Sequence, residues 1–183
     1  GFGANGQVNV DVLLRSLVPA DGTQLTQLVS PPTIVRDVVA VSSFSNKFKS
    51  SSSVNGAIRG FDARTGELRW SFDPLVRDAG TGLTPTPQQV GGANTWVPMS
   101  ADSPRDLLFV PTAGPAPNYW GVHRPGNNDY ANSIIALRGS TGEVVWHFQT
   151  LHHDVWDRDA GSTPILTDID RDGVLAGINW EST

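Results

Sequence analysis

A turn-and-tryptophan signature occurs twice in this chain. Phe61-Asp-Ala-Arg-Thr-Gly-Glu-Leu-Arg-Trp70 returns as Ala136-Leu-Arg-Gly-Ser-Thr-Gly-Glu-Val-Val-Trp146, with the two Trp residues 76 positions apart. In both copies a Gly stands four residues before the Trp. Gly supplies the positive φ that a tight turn between two strands demands. The Trp then has a flat apolar face to pack between neighbouring sheets. Similar short strands precede each copy. Thr33–Val35 and Val38–Ser42 read as a hairpin about Arg36-Asp37, followed by strands at Ala57–Asp62 and Glu67–Phe72. The second set is Trp96–Ser100, Leu107–Thr112, Ser133–Leu137 and Glu143–Gln149, and a third begins at Thr163–Leu166 and Val174–Trp180. The first residues, up to Thr26, give no clear pattern before the stop at Ser30-Pro-Pro32.

Repeated four-stranded units with a fixed turn predict an all-β chain built as a β-propeller fragment. A β-sandwich with look-alike hairpins is the competing fold. The expected division is one partial propeller domain over residues 1–183, with a blade at 30–74, a blade at 94–150 and the start of another at 162–183. Two complete blades and part of a third cannot close a ring, which needs at least about four. The chain opens at Gly1 without a Met and ends at Thr183 just past an apolar run. We therefore expect an internal piece of a longer protein.

Composition removes several functions. The net charge is −5 with no block of Lys or Arg, which disfavours nucleic acid and anionic membrane surfaces. There is no Cys, so neither a disulfide nor a thiolate metal site is available. No apolar run approaches the roughly 20 residues of a membrane-spanning helix.

Chemistry concentrates in one stretch, His147-Phe-Gln-Thr-Leu-His-His-Asp-Val-Trp-Asp-Arg-Asp159. Adjacent imidazoles, three carboxylates and an indole suit a loop at a strand end, where polar groups converge beside a flat apolar face. The plain alternative is a solvated turn capped by its Asp residues. A second acidic run, Asp168-Ile-Asp-Arg-Asp-Gly173, has the spacing of a calcium loop, but Asn179 stands where a bidentate Glu belongs and no helix pattern flanks it. A hairpin turn is the simpler reading there.

With these residues in view, the chain resembles the PQQ-dependent (quinoprotein) dehydrogenases, most nearly their membrane-bound glucose and polyol branch. The resemblance rests on the order of several segments. They are Ser30-Pro-Pro32, Gly56–Pro74, Asn94-Thr-Trp-Val-Pro-Met99, Asn118-Tyr-Trp-Gly121 with Arg124, Tyr130–Leu137, and Trp146-His-Phe-Gln149 leading into His152-His-Asp-Val-Trp-Asp157. It implies an eight-bladed propeller with PQQ near the axis and Ca²⁺ beside it. It implies Asp157 as catalytic base and metal ligand, and Trp96 as the indole that stacks on the cofactor, with Thr95 and Ser43 as further cofactor contacts. The metal shell it implies adds Asn46 and Asp159. An Asn ligand of the alcohol-oxidising branch aligns with Gly114, which has no side chain to offer. His152 and His153 are expected to orient neighbours, since Ca²⁺ prefers oxygen. The implied activity is oxidation of an aldose or polyol, glucose to gluconolactone foremost, with electrons passed to a membrane quinone from a periplasmic, membrane-associated enzyme. This piece alone is expected to be inactive. A non-catalytic propeller scaffold and a calcium-dependent binding module are the rival functions.

Overall fold

The computed structural model describes residues 1–10, 28, 30–42, 56–75, 91–122, 124–169 and 173–176. Ser43 and Asn46 lie outside them, as do the apolar residues 177–180 and most of the first 26. All regular structure within the described residues is β.

The first blade contains β1 (Thr33–Val35), β2 (Val38–Ser42), β3 (Ile58–Asp62) and β4 (Leu68–Phe72), paired antiparallel in chain order. A two-residue ribbon pairs β5 (Gly91–Gly92) with β8 (Pro115–Ala116). Between and beyond them, β6 (Ser100–Asp102), β7 (Leu107–Pro111), β9 (Ser133–Arg138) and β10 (Val144–Gln149) form the second four-stranded sheet, ordered β6-β7-β9-β10. A hairpin of β11 (Leu166–Ile169) and β12 (Gly173–Ala176) follows. The all-β propeller-fragment architecture expected from the sequence is therefore present.

Alternation along the strands builds the core. Val38, Ala40 and Ile58 from the first sheet meet Leu108, Val110, Ile135 and Leu137 from the second, all buried, with Trp70 and Met99 in the same cluster. Trp70 is the pivot of this contact. Its indole N–H donates to Gly139 O, in the β9–β10 turn of the next blade, at 2.9 Å. Gly142 has a φ of +75° in that turn, and a β-carbon there would lie 2.7 Å from the Trp70 ring. The repeated Gly thus serves twice, permitting the turn and admitting the neighbouring indole. Trp146 pairs with Ala136 as Trp70 pairs with Gly60, and leans on Phe109 with ring centroids 5.9 Å apart.

The two β-turns reach the same shape with different caps. After β3, the Asp62 carboxylate accepts from the backbone N–H groups of Arg64 and Thr65, each at 2.8 Å. After β9 that position is Arg138, and the cap comes from across the sheet: Asp106 accepts from Ser140 N and from the Ser140 hydroxyl.

Two expected strands shift. Trp96–Ser100 is not a strand; pairing begins only at Ser100. Pro98 has no N–H to give a ladder, and the carbonyls of Val97 and Met99 accept instead from the hydroxyls of Ser30 and Thr33. The strand expected at Thr163–Leu166 starts at Leu166, after Pro164. Of the Asp-rich stretch, Asp168 and Ile169 lie in β11 and pair with Val174 and Gly173 of β12, and residues 170–172 lie outside the described set.

Candidate active site at one end of the second blade

Four segments leave the second blade at the same end. They are 94–99 entering β6, 112–116 leaving β7, 131–132 entering β9, and 150–160 leaving β10. Antiparallel order puts the start of one strand beside the end of its neighbour, so these loops meet. Backbone bonds lace them together. Ala113 N donates to Asn94 O at 2.8 Å, Ala93 N to Gly114 O at 3.0 Å, Asn132 N to Ala113 O at 3.1 Å, and Thr150 N to Asn132 O at 2.8 Å.

The loop after β10 is organised about Asp154, which is buried. Its carboxylate accepts from Trp156 N and Arg158 N, both at 2.8 Å, and from Asn132 Nδ2 at 2.9 Å. Its main-chain carbonyl accepts from Arg124 Nη2. Arg124 is the largest fully buried side chain among the described residues. It also donates to the carbonyls of Pro117 and Asn118 and to Asn128 Oδ1. Burial pushes its guanidinium below the ordinary value, while the charge of Asp154 pulls it upward. A guanidinium keeps its proton regardless, so the clamp stays cationic.

Held this way, the loop places Asp157 half-buried, with a left-handed φ of +59°. Asp tolerates this conformation better than most residues, but it still costs free energy that the Asp154 bonds offset. Asp159, two residues on, meets the segment of Trp96. Its Oδ2 accepts from the indole N–H of Trp96 at 2.9 Å, and its Oδ1 from Gly114 N at 2.7 Å. The structure thus brings Asp159 and Trp96 into direct contact and sets Asp157 on the same short loop.

The other expected residues fall as follows. Thr95 is fully buried, its hydroxyl donating to Val97 O and its N–H to Ser42 Oγ, so it props the chain beneath Trp96. His153 bonds through Nδ1 to Gly126 O at 2.8 Å and through its backbone N–H to Asn127 O, an anchoring role that fits the orienting function expected of it. His147 packs edge-on against Tyr130, with centroids 4.8 Å apart. Gly114 has a plain steric reason: a β-carbon there would lie 2.9 Å from Asp154 Oδ2 and 3.5 Å from Asp159 Oδ1. A side chain at this position would press into the Asp154 carboxylate.

Sequence reasoning missed Asn94 and Asn132 and gave Arg124 no role. The amide of Asn94 is buried with both polar atoms unpartnered, as is that of Asn118, while Asn132 leaves only Oδ1 unpartnered. Orphaned buried amides cost about 1–3 kcal/mol each and call for a ligand or water. The segment 94–99 was visible as a motif, but burial of Asn94 depends on residues far away in the chain.

A planar, oxygen-rich cofactor fits what is present. Trp96 is 41% exposed, and its hydrogen bond lies in the ring plane, so that bond covers neither face. Asn94, with its unpartnered amide, stands two residues away. The carboxylate oxygens of Asp157 and Asp159 are of the hard kind that Ca²⁺ takes. Among the described residues, however, no three His, Asp or Glu side chains gather into a metal cage, so a full shell would need further ligands.

Comparison with known proteins agrees with this arrangement. The family model for PQQ-type "Glucose/ethanol/alcohol dehydrogenase, beta-propeller domain" matches residues 1–176. The quinoprotein glucose dehydrogenase of Escherichia coli (strain K12) is 38% identical over 165 residues, 87% of this chain and 20% of that protein. The glycerol dehydrogenase large subunit of Gluconobacter oxydans (strain 621H) is 35% identical over 173 residues, 92% of this chain and 22% of that one. Among solved structures, quinohemoprotein alcohol dehydrogenase ADHIIG from Pseudomonas putida HK5 superposes with a TM-score of 0.68 at 26% identity, covering 85% of this chain and 24% of that one. The chain therefore spans about a fifth of the length of the curated relatives it matches. With four-stranded blades, Trp70 docked in the next blade's turn and a family match over nearly all its length, the chain belongs to the β-propeller domain of the PQQ-dependent dehydrogenases.

Proposed function

We propose that the longer protein carrying this segment oxidises an aldose or polyol, glucose to gluconolactone foremost, and passes the electrons to a membrane quinone at the periplasmic face. When bound, PQQ supplies a two-electron acceptor and a Ca²⁺ beside it supplies Lewis acidity. The chain's own residues have separate tasks. Trp96 offers a flat apolar face for the cofactor, with Thr95 and Ser43 as further contacts. Asp157 takes the proton of the substrate hydroxyl, and its carboxylate, with Asn46, is the oxygen source for the cation. Arg124 and Asp154 hold the loop that aims Asp157.

The observation that carries this reading is the bond from Trp96 Nε1 to Asp159 Oδ2, which ties the acidic loop to the indole. A scaffold propeller has no use for it. The aldose and polyol assignment leans on the chain's similarity to glucose and glycerol dehydrogenases. The test is dye-linked oxidation of glucose, glycerol and quinate by the full-length protein reconstituted with PQQ and Ca²⁺. Asp157→Asn should lower turnover by about 10²–10⁴-fold, the usual scale for losing a general base, with the circular dichroism spectrum unchanged. Full turnover in that variant would remove Asp157 from the chemistry. A strong preference for quinate over both other substrates would move the substrate class.

A further inference from the structure

Trp96 is an exposed indole on a fixed backbone. Thr95 and Val97 on either side are buried, and Asn94 O is bonded to Ala113 N. The freedom left to Trp96 is rotation of its side chain. One contact removes that freedom. Asp159 Oδ2 accepts from the indole N–H at 2.9 Å, while Oδ1 of the same carboxylate accepts from Gly114 N at 2.7 Å. Gly114 in turn accepts from Ala93 N. The carboxylate therefore joins the indole, the segment after β7 and the loop after β10 in one bonded set.

The geometry points to Asp159 as a positioning residue that fixes the plane of Trp96 for the cofactor, instead of serving as an oxygen of the metal shell. This rests on the reading that Trp96 carries the cofactor. An indole N–H lies in the ring plane, so a bond to it resists rotation without covering the faces. A flat ligand then meets a platform already in place and spends no affinity on ordering it. Gly114 belongs to the same set: its N–H is bonded to Asp159, and a β-carbon there would lie 2.9 Å from Asp154 Oδ2.

The experiment is a double-mutant cycle on the full-length apo-protein, titrated with PQQ at saturating Ca²⁺ by quenching of tryptophan fluorescence, and with Ca²⁺ at saturating PQQ. Trp96→Phe keeps an aromatic face but loses the N–H. Asp159→Asn turns an NH₂ toward one of the two donors. Each should weaken PQQ binding by about tenfold, the scale of one charge-assisted hydrogen bond. Because the two residues act as a unit, the double variant should be no weaker than the weaker single one. The Ca²⁺ midpoint should stay with the parent. Additive losses overturn the inference. So does a raised Ca²⁺ midpoint with intact PQQ affinity in Asp159→Asn, which would return Asp159 to the metal shell. Trp96→Ala separates the two layers. If it leaves PQQ affinity unchanged, the platform reading fails and takes the inference with it. If it weakens binding while Asp159→Asn does not, only the inference falls.

Discussion

Gly114 shows how one missing side chain can decide a site. Its backbone N–H is bonded to Asp159, and the space beside its α-carbon is filled by Asp154 Oδ2, 2.9 Å from where a β-carbon would sit. Gly114→Ala should force the buried Asp154 to give way and cost about 1–3 kcal/mol, read as a lower denaturant midpoint with an unchanged m-value. At this scale the sequence was partly legible. Trp70, Trp96 and Asp157 stand in motifs that name their neighbours, and Asp159 was marked as an oxygen source. Asn94 and Arg124 sat in quoted motifs without a visible task. Their meaning comes from burial, and for Arg124 that burial is made by carbonyls of residues 117, 118 and 154, on loops that only folding brings together.

At the scale of the element, the β3–β4 turn carries a pH dependence. Backbone N–H groups of Thr65 and Arg64, then the Arg69 guanidinium, hold the Asp62 carboxyl well below the usual carboxylate range. A group depressed in the folded state adds stability above its ordinary value, about 4, and that stability is lost as pH falls through the lower folded value. Asp62→Ala should therefore unfold more easily than the parent at pH 7, with the gap closing below about pH 4; solvent screening keeps the effect small. The tryptophan dock is the stronger element. Trp70→Phe removes the donor to Gly139 O and part of the core volume, and thermal unfolding should show a loss of about 1–3 kcal/mol. Strand positions were readable within a residue or so where β-branched runs alternate, as in β2 and β9. They were misread at Trp96–Ser100, where apolar content looked like a strand but Pro98 and capture of carbonyls by Ser30 and Thr33 set another course.

Across the whole molecule, the two sheets share one core, yet the outer strand of the second is open. Val145, Trp146 and Phe148 on β10 are each at least 40% exposed. In the first blade, the residue matching Trp146 is buried against its neighbour, so β10 presents an unmatched docking surface. The isolated segment should self-associate in light scattering after size exclusion, while Trp146→Glu should shift it toward monomer. The propeller was legible as a whole because a repeat declares itself at fixed spacing. How the loops cross between strands was not, since nothing local encodes it.

The Arg124 clamp has a consequence for any change made to the loops it joins. One cation grips the strand-exit loop at 117–118 and the acidic loop at 154 with the same fork of nitrogens. Substitutions at the exposed Tyr119 and Trp120, next to the gripped carbonyls, would therefore be felt at Asp157, as a shift in its aim. Changes that leave that grip intact should leave the acidic loop in place.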